Sequence, residues 1–430
     1  MGIYLLVVTL SYTVLVNHYR LSPVISQNLY LYSLVKYLPF ITITITLFAI
    51  IKKQNRLKEL VKKNKEFFVL YSIYFGSVLI SNSLNDHFFL NTSKFIYYTI
   101  TGVFVSLLSY VVCENNSTQM RFVNLFITLA LITTLHGLCA RYFEYDFLFV
   151  SNYSYFFIAE EKYRTGGPMG NPIVYGTFLS MMAPFFFMKI TDKRVKTYTK
   201  ILMSIGLIFL LFGIISSNSR AAFLIATFNL FAFLFFHQKA SIRLLIVVVI
   251  AIALCSFLTA KYIVVNDLFE RFLYMQTDRS VIERISRYFL AWKIVSNEPL
   301  FGVGFGNLVR VFDSYFDAEW SASGSVKSME NQYLQILVET GLIGLVLNIS
   351  LLKYYFWPIH KSISNIGMIS RFKSMSLFTF SCWLSIAGVM IVMMTWDALN
   401  HPTIRIYYWF IVGFLLQKQN EHDGSHSRDN

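Results

Sequence analysis

Long apolar segments separated by short polar connections make up most of the 430-residue chain. A helix needs about 20 mostly apolar residues to cross the hydrocarbon core of a bilayer, and about twelve segments come close to this length. The pattern therefore predicts an all-α integral membrane protein with about twelve transmembrane helices. The predicted segments are 2–16, 29–51, 66–84, 94–113, 120–140, 172–190, 199–217, 220–237, 241–265, 332–357, 374–396 and 401–417.

One polar insertion, residues 266–331, interrupts this pattern. Within it, four apolar residues recur at the spacing of one helix face, which predicts an amphipathic helix. Ser280 followed by Glu283 has the form of a capping box, and Pro299 comes soon after the apolar stripe ends, so both ends of the helix are indicated. The four apolar residues are Ile282, Ile285, Phe289 and Trp292.

Two arginines of this predicted helix, Arg284 and Arg287, share a face with Ser280 and Ala291. Guanidinium groups beside small residues would suit a bulky anion such as a diphosphate, which Arg binds with two parallel hydrogen bonds. A solvated polar face on a surface helix explains the same pattern equally well.

The composition supports a membrane protein, because 56% of the residues are hydrophobic, only 14% are charged and the mean hydropathy is +0.54. The net charge of +14 could indicate nucleic-acid binding, but the basic residues concentrate in the alternate connections 52–65, 189–200 and 353–373. By the positive-inside rule these connections face the cytoplasm. Both termini are then cytoplasmic, residues 266–331 lie outside, and no nucleic-acid surface is needed.

The predicted organisation has four parts. Residues 1–265 would hold transmembrane helices 1–9 with a second outer loop at 141–171, and residues 266–331 would form the large outer loop. Residues 332–417 would hold helices 10–12, followed by a cytoplasmic tail at 418–430. The four cysteines lie within or at the ends of apolar segments, which is typical of small buried hydrophobes and gives neither a zinc spacing nor a disulfide framework. They are Cys113, Cys139, Cys255 and Cys382.

Two further arginines lie at predicted outer ends of membrane segments. Arg164 opens a Gly- and Pro-rich stretch that ends at Pro172, after aromatic residues that fit either an interfacial belt or a platform for sugar rings. Arg220 follows a tight polar turn, residues 216–219, between two apolar segments. It fits either an interfacial anchor or a second cation for an anionic lipid head group.

The end of the insertion holds glycines and carboxylates. Gly302, Gly304 and Gly306 follow no strand, which excludes a nucleotide-binding loop and favours tight turns over the membrane surface. Asp317 and Glu319 weakly resemble an acidic metal-binding pair, although two carboxylates alone are not a metal site. Glu330 opens the next membrane helix, where simple helix capping is the alternative to a chemical role.

Four stretches, taken in order and spacing over residues 164–350, resemble the O-antigen polymerase and ligase superfamily. They are Arg164–Pro172, Ser219–Phe223, Arg287–Gly306 and Glu330–Gly344. The resemblance implies a membrane fold like that of the GT-C glycosyltransferases, in the bacterial inner (plasma) membrane. It also implies transfer of a glycan from undecaprenyl diphosphate outside that membrane, without a nucleotide donor, metal or other cofactor.

The resemblance further implies roles for individual residues. Arg220 and Arg287 would bind the diphosphate, with Arg284 and Arg164 as weaker candidates, and Glu330 would be the general base. The adjoining Asn331 and Tyr333 would contact substrate.

Ligases of the family carry His before Asn or Ser at the opening of this helix, so the pair Glu330-Asn331 favours a polymerase over a ligase. The implied partners are an undecaprenyl-diphosphate-linked oligosaccharide and the bilayer, and a chain-length regulator and a flippase could act beside them. A transporter of lipid-linked glycans is a further alternative, against which stand the lack of an internal repeat and the arginines of the long outer loop.

Overall fold

The computed structural model of the protein describes residues 51, 53–113, 115–143, 155–158, 162–236, 279–315, 328–363 and 375–425. These residues are mostly helical, and nine of the predicted membrane segments coincide with helices in them. Predicted segments 2–16 and 241–265, and nearly all of 29–51, lie outside the described residues. The helices are α1 Gln54–Lys63, α2 Lys65–Ser83, α3 Phe88–Val112, α4 Asn116–Phe143, α5 Pro172–Thr191, α6 Thr197–Ser216, α7 Arg220–Phe236, α8 Arg279–Asn297, α9 Leu308–Tyr315, α10 Gln332–Ile363, α11 Leu377–Val392 and α12 Pro402–Ser425.

Within this part of the chain, five helices are long and apolar enough to cross a membrane by length and composition. They are α3, α4, α5, α6 and residues Gln332–Leu352 of α10. Shorter apolar helices are α7, α11 and residues Pro402–Leu416 of α12. The prediction of a largely helical membrane protein is therefore confirmed in this coarser form.

The loop predicted at 141–171 contains a feature that an all-α fold does not include. Strands β1 (Tyr155–Ile158) and β2 (Lys162–Thr165) pair antiparallel, with Tyr155 opposite Thr165 and Phe156 opposite Arg164. Tyr, Phe and Thr favour extended backbone, which explains why this aromatic stretch pairs as strands.

Helix α5 occupies the centre of the bundle because it is apolar on nearly all sides. Its start follows from local sequence: Asn171 Oδ1 accepts the N–H groups of Ile173 at 2.9 Å and Val174 at 3.3 Å, and Pro172 fills the first helical position. The ring of Phe178 packs on Tyr407 of α12 with centroids 5.1 Å apart.

Contacts along α5 fix the directions of its neighbours. Helix α11 runs antiparallel to it, because Ser381 Oγ donates to Pro184 O and Ser385 Oγ donates to Met181 O. Helix α7 runs parallel to it, because Ser180 meets Ala222 and, further along both helices, Phe187 meets Phe233. The starts of α5 and α7 and the end of α11 therefore lie at one end of the bundle.

The starts of α10 and α3 lie at this same end, which we name the Glu330 end. Gln332 N donates to Met393 O at 2.7 Å just after α11 ends. Tyr98 Oη of α3 donates to Asn400 Oδ1 at 2.7 Å just before α12 begins. Further along both helices, Ser109 Oγ donates to Phe410 O at 2.8 Å, so α3 runs parallel to α12.

The basic connections 52–65 and 189–200 lie at the opposite end. Lys53 Nζ donates to Val111 O at 3.5 Å beside the end of α3, and residues 192–196 follow the end of α5. The separation of these basic connections from Glu330 agrees with the predicted topology, whose orientation in the membrane stays a prediction.

Candidate active site

Helix α8 turns its arginine face toward the protein. Arg287 is 5% exposed and lies with Ser286, Leu290 and Ala291 on the buried side of the helix. The predicted apolar stripe faces outward instead: Ile282 is 51% exposed, Ile285 47%, Phe289 58% and Trp292 73%. The alternative of a solvated polar face is therefore wrong for Arg287.

Both arginines of α8 contact the carboxylate of Glu330. Arg284 Nε donates to Glu330 Oε2 at 3.3 Å, and Arg287 Nη1 lies 2.5 Å from Glu330 Oε1. The Arg287 side chain is buried, whereas those of Arg284 and Glu330 are partly exposed. The spacing of three residues on one helix face thus delivers two guanidinium groups to a single anion.

Glu330 precedes helix α10 rather than capping it. Its φ is +48°, which is uncommon for a residue with a side chain, and its N–H donates to Ser328 Oγ at 3.2 Å. The cap is Asn331, whose Oδ1 accepts the N–H groups of Tyr333 at 3.0 Å and Leu334 at 3.1 Å. The interpretation of Glu330 as a helix cap is therefore wrong, and its carboxylate faces the arginines instead.

The two predicted substrate contacts beside Glu330 join three helices together. Asn331 Nδ2 donates to Tyr288 Oη of α8 at 3.3 Å, and Tyr333 Oη donates to Met390 O of α11 at 3.2 Å. These bonds hold α8 and α11 against the start of α10, so they support the position of Glu330.

Asp397, between α11 and α12, is a carboxylate of this region that sequence reasoning missed. Burial raises its pKa and the negative charge of Glu330 raises it further, whereas a hydrogen bond from Asn400 and the charge of Arg287 lower it. Asn400 Nδ2 donates to Asp397 Oδ2 at 2.6 Å. Its position at the boundary of predicted segment 374–396 is the one sequence signal that could have drawn attention to it.

Arg405, in the first turn of α12, is a buried cation that the sequence pattern also concealed. Its guanidinium carbon lies 4.1 Å from the ring centre of Tyr98 and 5.6 Å from that of Tyr97. An aromatic face attracts a cation electrostatically, which helps Arg405 remain inside the bundle.

A second group of arginines lies at the α6–α7 turn of the same end. Arg141 Nη1 donates to Ser216 O at 2.6 Å, and Arg164 Nε donates to Ser217 O at 3.1 Å. Arg220 is the first residue of α7, directly after this turn. The structure thus joins Arg284, Arg287 and Glu330, and it holds Arg164 at the turn that leads to Arg220.

Residues 205–349 match the family model described as O-antigen ligase. The predicted resemblance to the O-antigen polymerase and ligase superfamily is confirmed. The match supports a function of the O-antigen ligase or polymerase type, carried out by a glycosyltransferase-like membrane enzyme. No curated protein matches the chain.

The stretch that matches the O-antigen ligase family ends in a broken membrane helix. Gly341 interrupts α10 with φ 66° and ψ −172°, and the loop 299–307 occupies the break. Val303 N donates to Val338 O at 3.0 Å, and Leu342 N donates to Pro299 O at 2.9 Å. These bonds pair backbone groups that the interrupted helix leaves open.

The loop glycines form tight turns, as the sequence predicts. Gly302, Gly304 and Gly306 have φ values of 65°, 92° and 72°, and their loop also enters the helix break. A Cβ atom on Gly302 would overlap the backbone oxygen of Val338, and one on Gly341 would overlap that of Leu300. Close backbone approach therefore requires glycine on both sides.

Within the described ranges, no group of three or more His, Cys, Asp or Glu residues is arranged to hold a metal ion. Asp317 and Glu319 lie outside these ranges, as does Cys255. Cys113 and Cys382 are buried, and Cys139 is partly buried.

Proposed function

We propose that this protein is a polysaccharide polymerase that joins undecaprenyl-diphosphate-linked oligosaccharide repeat units on the outer face of the bacterial plasma membrane. The observation that carries the proposal is the convergence of Arg284 and Arg287 on the carboxylate of Glu330 at the start of a membrane helix. Glu330 stands where family ligases carry His, and this departure favours repeat-unit polymerisation over ligation.

The arginines would stabilise the leaving diphosphate. A diphosphate carries more negative charge than one carboxylate, so it would compete with Glu330 for the two guanidinium groups of α8. Arg287 is buried, and a preorganised charge in a dry site stabilises developing negative charge more strongly than one in water. Arg220, which follows the neighbouring turn, would add a further cation.

Glu330 would then accept the proton. The acceptor hydroxyl oxygen attacks the anomeric carbon of the donor chain, and the bond from that carbon to the diphosphate oxygen breaks with inversion. The diphosphate departs with the bonding electron pair, and the hydroxyl proton passes to Glu330. A diphosphate that draws both arginines away leaves the carboxylate oxygens of Glu330 open to the acceptor hydroxyl.

The arginines would also take the place of a divalent cation. Arginine side chains aimed at the departing diphosphate can neutralise the charge that Mg²⁺ neutralises in many phosphate-transfer sites. Turnover should therefore persist in EDTA. Loss of turnover on chelation, with recovery on adding Mg²⁺ or Mn²⁺, would contradict this part of the mechanism.

The proposed arrangement is a GT-C-like bundle of about twelve helices with cytoplasmic termini. The separation of the basic connections from the Glu330 end supports it. In a cysteine-free variant, a membrane-impermeant thiol reagent added outside should label Asp86→Cys and miss Asn55→Cys, since these exposed positions lie at opposite ends. The reverse pattern would place Glu330 on the cytoplasmic side and overturn the proposal.

A ligase is the second candidate, because the matched family is described as O-antigen ligase. Purified protein in liposomes, supplied with a defined lipid-linked repeat unit, distinguishes the two. A polymerase yields long chains that stay on undecaprenyl diphosphate. A ligase yields product only when a lipid A-core acceptor is added, and a transporter forms no glycosidic bond at all.

A further inference from the structure

Glu339 is a buried carboxylate inside the membrane-spanning part of α10 that the proposed chemistry does not use. Ionisable residues within membrane spans are rare because burying them is unfavourable, and they usually have a functional reason. Glu339 lies two residues before the break at Gly341. Its surroundings connect the break to the candidate active site.

The carboxylate of Glu339 interacts with its own helix and with the inserted loop. Gln335 Nε2 donates to Glu339 Oε1 at 2.5 Å, and the backbone N–H of Gly306 in the inserted loop stabilises the carboxylate electrostatically. Lys94 of α3 acts on Glu339 electrostatically and donates to Gly306 O at 3.4 Å. Glu339 thus joins the loop 299–307 to α10.

Gln335 continues this connection toward Glu330. Its Oε1 accepts the N–H of Met329 at 3.0 Å, while its Nε2 donates to Glu339. Met329 is buried and is the residue directly before Glu330. A series of hydrogen bonds therefore runs from the Glu339 carboxylate through Gln335 to the backbone beside Glu330.

The far end of this series is firmly anchored. The backbone oxygen of Glu339 accepts the N–H of Gly304 at 2.9 Å and the hydroxyl of Ser81 at 3.1 Å. Asn82 Oδ1 accepts the N–H of Phe305 at 2.7 Å. The inserted loop, α2 and α10 therefore meet at Glu339, and this junction provides a fixed reference for Met329.

We propose that Glu339 and Gln335 are positioning residues that hold Met329, and through it the Glu330 carboxylate, in place against Arg284 and Arg287. This inference rests on the proposed function of Glu330. Glu330 adopts a left-handed backbone conformation, which persists only where surrounding contacts enforce it. Misplacing a catalytic group by about 1 Å can reduce a rate on the order of 100-fold.

The polarity of the series gives a specific test. In Gln335→Glu, a second carboxylate faces Glu339, and the two repel. In Glu339→Gln, the amide oxygen can still accept from Gln335, but the negative charge is lost and an amide N–H turns toward the N–H of Gly306. In the reciprocal double variant, the amide oxygen at position 339 faces the N–H of Gly306 and its N–H donates to the carboxylate at position 335. That carboxylate accepts from Met329, so both side-chain hydrogen bonds are restored.

Each single variant should lower kcat on the order of 10- to 100-fold with little change in KM for the lipid-linked repeat. The double variant should recover to within several-fold of wild type. Hydrogen exchange at the Met329 amide should be faster in each single variant and slow again in the double variant. Thr340→Val is the matched control, since the buried Thr340 hydroxyl donates to Ile336 O of its own helix.

Three results would overturn the inference. The first is wild-type kcat in both single variants, and the second is unchanged exchange at the Met329 amide in those variants. The third is a double variant that stays inactive although its exchange at Met329 is slow again. This third result would assign the Glu339 carboxylate a role of its own. If Gln335→Glu fails to fold because of its two facing carboxylates, Gln335→Met provides a second test. It removes the hydrogen bond to Met329 without adding charge, so exchange at the Met329 amide should again be faster. If wild type forms no polymer, the proposed function fails, whereas the exchange results still decide the hydrogen-bond series.

Discussion

Two groups of arginines at the Glu330 end differ in what they bind. At the α6–α7 turn, Arg141 and Arg164 donate to the backbone oxygens of Ser216 and Ser217. On α8, Arg284 and Arg287 contact a carboxylate. A backbone oxygen is a neutral, fixed part of the fold, whereas a carboxylate is a charge that another anion can replace. The first group therefore stabilises the turn, and the second has the chemistry of a binding site.

The largest effect is expected for Glu330→Gln. Gln keeps the size of Glu but removes its basicity, so turnover should fall on the order of 10²- to 10⁴-fold. Binding of the donor lipid should persist, because the arginines lose a competing anion. Polymer formation and donor binding by purified variants measure the two quantities.

Glu298→Gln is the control, since Glu298 is exposed just after α8. Wild-type polymerisation by Glu330→Gln would show that the reaction needs no base at this position and would leave Glu330 a hydrogen-bond partner of the arginines.

The next largest effect concerns the arginines proposed to bind the diphosphate. Arg287→Lys keeps the charge but loses the planar two-pronged donor, so turnover should fall on the order of 10²- to 10³-fold. Arg220→Lys should reduce turnover as well, because Arg220 is proposed to add a further cation for the diphosphate. Arg121→Lys, at an exposed position near the start of α4, should leave turnover unchanged. Near-normal rates in both test variants would make Arg287 a structural partner of Glu330 and Arg220 an interfacial anchor.

The turn group should respond mainly in stability. Replacing Arg141 by Gln removes a charged hydrogen bond to Ser216 O, which is worth about 1.5–3 kcal/mol, so the thermal unfolding midpoint in detergent should fall. Turnover of the protein that remains folded should change little. Arg164→Lys tests the distinction between the two groups. If its turnover falls as much as that of Arg287→Lys, Arg164 binds substrate and does not only stabilise the turn.

The smallest effect is a pH dependence that arises from Asp397. Its pKa is raised in the folded state, chiefly by burial, so folding favours its protonated form. The free energy of unfolding should therefore fall as pH rises from the ordinary Asp pKa to the raised value. Asp397→Asn should flatten thermal unfolding midpoints across this window, and an unchanged slope would assign the pH dependence to other groups.

Local signals predicted the helices well. The segment 172–190 corresponds to Pro172–Thr191 because an apolar run, a capping Asn and a first-turn Pro all act within a few residues. The arginine face of α8 was also predictable, because Arg284 and Arg287 are three residues apart. Which face turns inward was not, since an apolar stripe at a membrane surface can contact lipid instead of the protein core.

The remaining features depend on contacts between distant parts of the chain. Asp397 is 67 residues from Glu330 in sequence, and nothing local relates the two. The sequence identifies the glycines at 302–306 as turn formers, but it does not show that their loop packs into the helix break at Gly341. Whether Glu330 or Asn331 caps α10 is a difference of one residue, and the apolar periodicity cannot locate a helix end that finely.

The junction of α2 with the inserted loop has a consequence for biosynthesis. Ser81 bonds to Phe301 O across 220 residues and to Glu339 O across 258, and Asn85 bonds to Gly302 O across 217. At about 5–20 residues per second, the ribosome delivers these partners on the order of 10–50 s after α2 is made. During that interval, the polar end of α2 must be solvated or shielded by the insertion machinery. Early release of α2 into lipid would be the step at which assembly of this bundle fails.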